Sequence, residues 1–266
     1  MTHKQAHYQT IPFPKERQIV IDSVRLGKRK HTVYGLVEVD VTKARRAIRE
    51  HKARTGETLS FTAFIIQCLG QAVDERRIVH AYRNWRNRLV LFDEVDIATL
   101  LEIELSGRSF PLAHIIRSAN QRTFRDIHQE IRAIQADPYR SQSLDEQKRK
   151  FLRPLLSIPA FVRDIIYLAA ARNPFWVKNN IGTVVLTAVG MFGQGGGWGI
   201  PTSIYTLGVT LGGIAEKPGV VDGRIEVREY LSLTLAFDHD IVDGAPAARF
   251  TQRLKELIES GFGLES

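Results

Sequence analysis

The stretch from Tyr230 to Ile258 constrains the fold most, because it joins a strand to a helix through a turn that carries a histidine. Tyr230-Leu231-Ser232-Leu233-Thr234-Leu235-Ala236-Phe237 reads as a strand, and Ala247 to Ile258 spaces its apolar residues as a helix does. Between them lies His239-Asp240-Ile241-Val242-Asp243-Gly244. A side chain at a strand's end is held by a rigid element yet can face a cleft. Histidine ordinarily titrates near neutral pH, so it suits proton removal from a thiol or hydroxyl. Asp243 is expected to help hold the turn, and Gly244 to take a backbone angle that other residues resist. A histidine that only satisfies hydrogen bonds at such a junction is the other reading, and the local sequence leaves both open.

The rest of the chain interleaves strands and helices. Strands are predicted at His31–Val41, Asn87–Phe92, Val95–Glu104, Gly182–Ala188 and Tyr205–Gly213, with a turn at Val221-Asp222-Gly223-Arg224. Helices are predicted from Thr42, as a cap, to Arg54 with Gly56 ending the run, then at Ser60–Asp74, Thr123–Ile134 and Ala160–Ala171. The neighbouring segment Asp145–Leu156 is highly charged. Interspersed rather than segregated elements suit a mixed-sheet α/β or α+β layer. No repeat or low-complexity linker divides the chain. The expected organisation is an extension at 1–14, one domain at 15–262 with an atypical helical insertion at 137–180, and a tail at 263–266.

Composition narrows the function classes. No run of 18 apolar residues exists to span a membrane, and the first residues lack a signal peptide's apolar core. The single cysteine, Cys68, excludes an internal disulfide and a multi-thiolate metal site, and its apolar helical surroundings predict an inert buried thiol. A cytoplasmic setting is expected. The net charge of +8 suits polyanions or phosphorylated small molecules. Its basic runs carry no zinc-finger, RNA-binding or zipper pattern, so nucleic-acid binding is not expected. His80, His114 and His128 lie in separate segments without metal-ligand spacing, so no metal is expected; His128 is placed on an exposed helix face. Gly193-Gln194-Gly195-Gly196-Gly197-Trp198-Gly199 fits neither a P-loop nor a dinucleotide fingerprint. It reads as a loop allowing close approach, with Trp198 as a channel-lining candidate.

Phe237-Asp238-His239 followed by Val242-Asp243-Gly244-Ala245 resembles the signature of the acyltransferase core of 2-oxo acid dehydrogenase complexes, a family related to chloramphenicol acetyltransferase. Val37–Thr42, Leu59–Phe64, Asp93–Ala98, Leu207-Gly208-Val209 and Ala247–Phe250 resemble successive landmarks of that domain in the same order, over about residues 15–262. The resemblance implies a coenzyme A-dependent acyltransferase sandwich, a mixed sheet covered by helices and assembled as homotrimers. It makes coenzyme A or its acyl thioester a substrate, His239 the base that deprotonates the thiol, and Asp243 the organiser of the turn. Val185-Leu186-Thr187-Ala188-Val189-Gly190 aligns with the family's oxyanion segment, with Thr187 in place of the usual serine. Without the resemblance, Thr187 reads first as a β-branched strand residue placed there by propensity. In the family this hydroxyl and the histidine come from adjacent subunits.

Three departures accompany the resemblance. No lipoyl or subunit-binding segment is legible before the first landmark, so the expectation is a stand-alone enzyme without covalent lipoyl, served by a separate lipoyl-carrying protein or by another small nucleophile. Asp240 stands where an arginine usually follows the histidine, and is expected to raise the pKa of His239 or rearrange nearby ion pairs. Residues 137–180 are longer and more charged than usual, and their end could form a lid, an added interface or a membrane-facing helix. A non-catalytic trimeric scaffold derived from such a core is the alternative function.

Overall fold

The computed structural model describes residues 9–14, 17–105, 108–142, 154, 157–189 and 195–264. After helix α1 (Arg17–Gly27) come β1 (Thr32–Asp40), α2 (Thr42–Thr55), α3 (Phe61–Glu75) and a two-stranded ribbon of β2 (Tyr82–Arg83) and β3 (Leu89–Val90). Then follow β4 (Ile97–Leu105), β5 (Arg108–Ile116), α4 (Phe124–Ala136), α5 (Ala160–Ala171), α6 (Pro174–Ile181), β6 (Val184–Ala188), β7 (Leu207–Val221), β8 (Arg224–Asp238) and α7 (Gly244–Ser260).

The main sheet has the order β1-β8-β7-β6-β4-β5. β6 runs parallel to both β4 and β7, and the remaining pairings are antiparallel. Register separates its two faces. Leu186, Val209 and Leu235 stand opposite one another, all buried, and join α3, α4 and α7 in the core with Phe64, Ile65, Phe124 and Phe250. One residue further on, Thr187, Thr210, Thr234 and Leu36 form the next row, on the other face. That face carries polar and half-exposed side chains, and the chain from Gly195 to Pro201 crosses it. Gly197 bridges Gly213, and the Tyr34 hydroxyl donates to the Pro201 carbonyl at 2.9 Å. Helices on one face of a mixed sheet make a two-layer sandwich.

Several elements differ from the sequence expectation for local reasons. Asn87–Phe92 contributes only Leu89–Val90 as strand, because the Asn84 side chain accepts the Arg86 and Arg88 amides and Asn87 takes a positive φ, turning the chain there. Thr42 does not cap α2. Val41 holds that position, and the Thr42 hydroxyl accepts the Glu229 amide of β8 at 2.8 Å. β5 carries Pro111, which a sheet tolerates at this edge position. His128 is buried rather than exposed. Its Nδ1 accepts the Ser60 amide at 3.2 Å, and its Nε2 lies 3.1 Å from Glu57, tying α4 to the start of α3. Asp145–Phe151 and Gly193-Gln194 lie outside the described residues.

Candidate active site

The turn after β8 is built around Asp238. The Ile241 and Val242 amides both donate back to its carbonyl at 3.0 Å, and its carboxylate accepts the Asp240 amide at 3.2 Å and pairs with Lys30. Val242, fully buried, pins the turn to the core. The neighbouring strand fixes His239, whose amide donates to the His31 carbonyl at 2.8 Å just before β1 begins. The imidazole is 43% exposed, leaving it open to a substrate.

A cleft of about 630 Å³ opens beside it, between edge strand β1 and helix α7. Tyr34, Gly35 and Glu38 line one wall, and Gly244, Gln252 and Lys255 the other. Asp243 stands at the N-cap of α7, with its carboxylate 3.9 Å from His239 Nδ1 and 85% exposed. That is ion-pair range without a hydrogen bond. Gly244 departs from expectation: its φ is not positive, because it already belongs to the first turn of α7. A Cβ there would meet nothing within 4 Å, so glycine's contribution is open space in the cleft rather than an unusual backbone angle.

Asp240 turns away from this cleft. Its carboxylate lies 2.8 Å from His31 Nδ1, and that hydrogen bond holds its pKa below the ordinary value. Asp240, although beside His239 in sequence, is thus hydrogen-bonded to His31 across the β1–β8 edge. Other titratable candidates are unsuited to neutral proton transfer. Burial drives His80 down to about 4, and pushes the fully buried Cys68 thiol well up.

Thr187 occupies a different place. Its hydroxyl lies 3.0 Å from that of Thr210 on β7, with Thr210 almost fully buried. Gly199 packs beside Thr210, where a Cβ would come 2.9 Å from the Val189 side chain and 3.1 Å from the Thr210 methyl. Trp198, the neighbour of Gly199 in sequence, is 43% exposed. The loop descends this close because β7 carries Gly212 and Gly213, where any Cβ would lie 2.0 Å from the Gly197 and Gly195 carbonyl oxygens. Gly-Gly inside a strand is the sequence signal for such a close backbone approach.

Within one chain the two proposed groups do not meet. Thr187 registers with Thr210 and Thr234, and His239 follows Thr234 by five residues. This places them roughly 16 Å apart along the strands and two strand spacings, about 10 Å, across them. Among the described residues no group of three or more His, Cys, Asp or Glu side chains could hold a metal, and no helix is long and apolar enough to cross a membrane.

Residues 5–149 and 177–263 match the family described as 2-oxoacid dehydrogenases acyltransferase (catalytic domain). The chain belongs to this family. The family match passes over 150–176, which contains α5 and the start of α6. Among curated relatives, the dihydrolipoyllysine-residue succinyltransferase component of the mitochondrial 2-oxoglutarate dehydrogenase complex of Saccharomyces cerevisiae is 29% identical over 201 residues. That alignment takes in 66% of this chain but 43% of the yeast protein, so the chain spans less than half of that relative. The cubic core of the pyruvate dehydrogenase multienzyme complex superposes with a TM-score of 0.70 at 17% identity, over 99% of this chain and 96% of that one. Chloramphenicol acetyltransferase superposes with a TM-score of 0.50 at 16% identity, over 92% and 98%. The acyltransferase domain here thus has the chloramphenicol acetyltransferase-like fold.

Proposed function

We propose that the protein transfers an acyl group between coenzyme A and a second thiol, such as a lipoyl group on a separate protein, or another small nucleophile, in a site completed by the neighbouring copy of a homotrimer. The observation that carries this reading is the separation of His239 from Thr187 within one chain, with the imidazole 43% exposed and Thr187 half-buried. His239 takes the proton from the attacking thiol. The thiolate sulfur bonds to the thioester carbonyl carbon, and the Thr187 hydroxyl of the adjacent copy donates to the oxyanion. Collapse breaks the original C–S bond, and the departing thiolate recovers the proton from His239. A general base contributes about 10²–10⁴-fold, and one oxyanion donor about 3–4 kcal/mol. Asp243 holds negative charge at the mouth of α7 near an imidazole that becomes cationic in this step. A cytoplasmic setting suits both coenzyme A and the lone thiol.

The test is complementation. His239→Ala and Thr187→Ala are each expected to be nearly inactive. Unfolding and mixing them equally should restore about a quarter of wild-type activity, because three quarters of random trimers are mixed and each holds one intact site in three. No restoration, with mixed trimers shown to form, rejects the shared site. Absence of coenzyme A binding by calorimetry in the wild type would instead favour a non-catalytic trimeric scaffold.

A further inference from the structure

Helix α5 is inside out. Its charged residues face the protein: Arg163 is 4% exposed and reaches Asp22 of α1 through Nε at 2.8 Å and Nη2 at 3.2 Å. Asp164 joins Arg25 at 2.9 Å and Arg29 at 3.7 Å. The opposite side holds Phe161, Ile165 and Leu168 at positions i, i+4 and i+7, one stripe of a helix, exposed by 68%, 64% and 36%. Arg172 ends the stripe one turn later, and the next helix begins with Phe175 and Trp176, also exposed.

The charge around this stripe is one-sided. Residues 17–30 and 157–181 contain eight lysines and arginines; Arg25, Arg29, Lys30, Arg163 and Lys178 pair with carboxylates, which leaves Arg17, Lys28 and Arg172 as the exposed cations with no anion of these segments to balance them. A two-fold contact with a second copy would set these cations against themselves. An anionic lipid surface answers both the cations and the apolar stripe. At twelve residues α5 is about 18 Å long, suited to lying in an interface and too short to span a bilayer.

We propose that α5 is an interfacial membrane-binding helix, which seats Phe161, Ile165 and Leu168 among the acyl chains of an anionic bilayer while Lys28 and Arg172 meet its headgroups. Helix α5 lies outside the family match, and its binding to lipid is independent of the acyl-transfer reading. The Arg163–Asp22 pair secures the helix to α1 with its apolar side outward.

Co-sedimentation of the full chain with vesicles tests it. Vesicles of phosphatidylcholine with about 30% phosphatidylglycerol should carry the protein down, and phosphatidylcholine alone should bind at least about tenfold less. Phe161→Ser/Ile165→Ser/Leu168→Ser should weaken binding by at least about tenfold. Lys28→Glu/Arg172→Glu, which alters only exposed charges, should weaken binding to anionic vesicles alone and keep the fold intact. A wild type that stays in the supernatant, or variants that bind as well as it does, overturns the proposal. So does a serine variant whose only change, by light scattering without vesicles, is a smaller assembly, which would identify the face as a subunit contact.

Discussion

The turn after β8 and the helix α5 solve opposite problems. At the turn, apolar groups point inward and polar groups outward. Phe237 meets Phe250 of α7 edge to face at 5.9 Å, Val242 is fully buried, and His239, Asp240 and Asp243 stand at the surface. At α5 the order is reversed, with an arginine–aspartate pair inside and a phenylalanine, an isoleucine and a leucine outside. The turn lies within the family match and α5 lies in the gap. The shared part keeps a reactive side chain on a rigid support, while the added part spends its polar groups on attachment and leaves its apolar side for something else.

The largest effect should fall on chemistry at the turn. His239→Ala removes a half-exposed ring and should lower acyl transfer by about 10²–10⁴-fold while leaving the melting temperature nearly unchanged. A large loss of stability would show that the ring holds the turn together, and the contrast between the two regions would break.

Arg163→Ala should do the reverse. It leaves the buried Asp22 carboxylate with only the Gln18 hydrogen bond at 2.9 Å and Arg25 at 3.7 Å, which costs less than the roughly 3–5 kcal/mol of a fully uncompensated buried charge but should free α5, read as faster amide exchange across 160–171. Asp22→Leu/Arg163→Met should restore protection, since a buried pair can be replaced by apolar residues of similar volume. Acid offers a second reading. Burial acts to raise the Asp22 pKa, but hydrogen bonds from Arg163 and Gln18 outweigh it and hold the pKa below that of a free carboxylate. The pair's stabilisation is therefore complete above the unfolded value, about 4, and drains away as pH falls through the lower folded value. Exchange across α5 should quicken in that acid range in the wild type and not in the Leu/Met variant.

How much of this was legible beforehand depended on whether a residue's partner was local. The β8–turn–α7 unit could be read directly, because strand period, turn and helix period adjoin in sequence. α5 was legible as a helix at Ala160–Ala171, but its orientation was not: periodicity shows a stripe without saying which side meets protein, and Asp22 lies 141 residues away. The burial of His128 is hidden from local sequence for the same reason, since its partners Ser60 and Glu57 belong to a distant segment. At Gly244 the sequence reads as a turn that needs glycine's backbone freedom, whereas the helix already begins there. Thr187 could be named only through resemblance; its pairing with Thr210 and its distance from His239 follow from strand register.

The smallest effect concerns Asp240, which stands beside the proposed base, His239. Its carboxylate is 42% exposed and its partner His31 is 80% exposed, so solvent screens the pair and its contribution should stay below about 1 kcal/mol. Asp240→Asn keeps the size of the side chain and removes the charge. Because His31 also supplies the carbonyl that holds the His239 amide, the pair bears on the base through the backbone rather than by direct contact. The variant should therefore melt within about 1 °C of the wild type and change acyl transfer less than about threefold, with His31→Asn giving the same small shift. Double-mutant coupling between positions 31 and 240 should be a few tenths of a kcal/mol. A loss in Asp240→Asn that approaches that of His239→Ala would mean that the carboxylate acts on the base itself, and the turn would then depend on a charge as closely as α5 depends on Asp22.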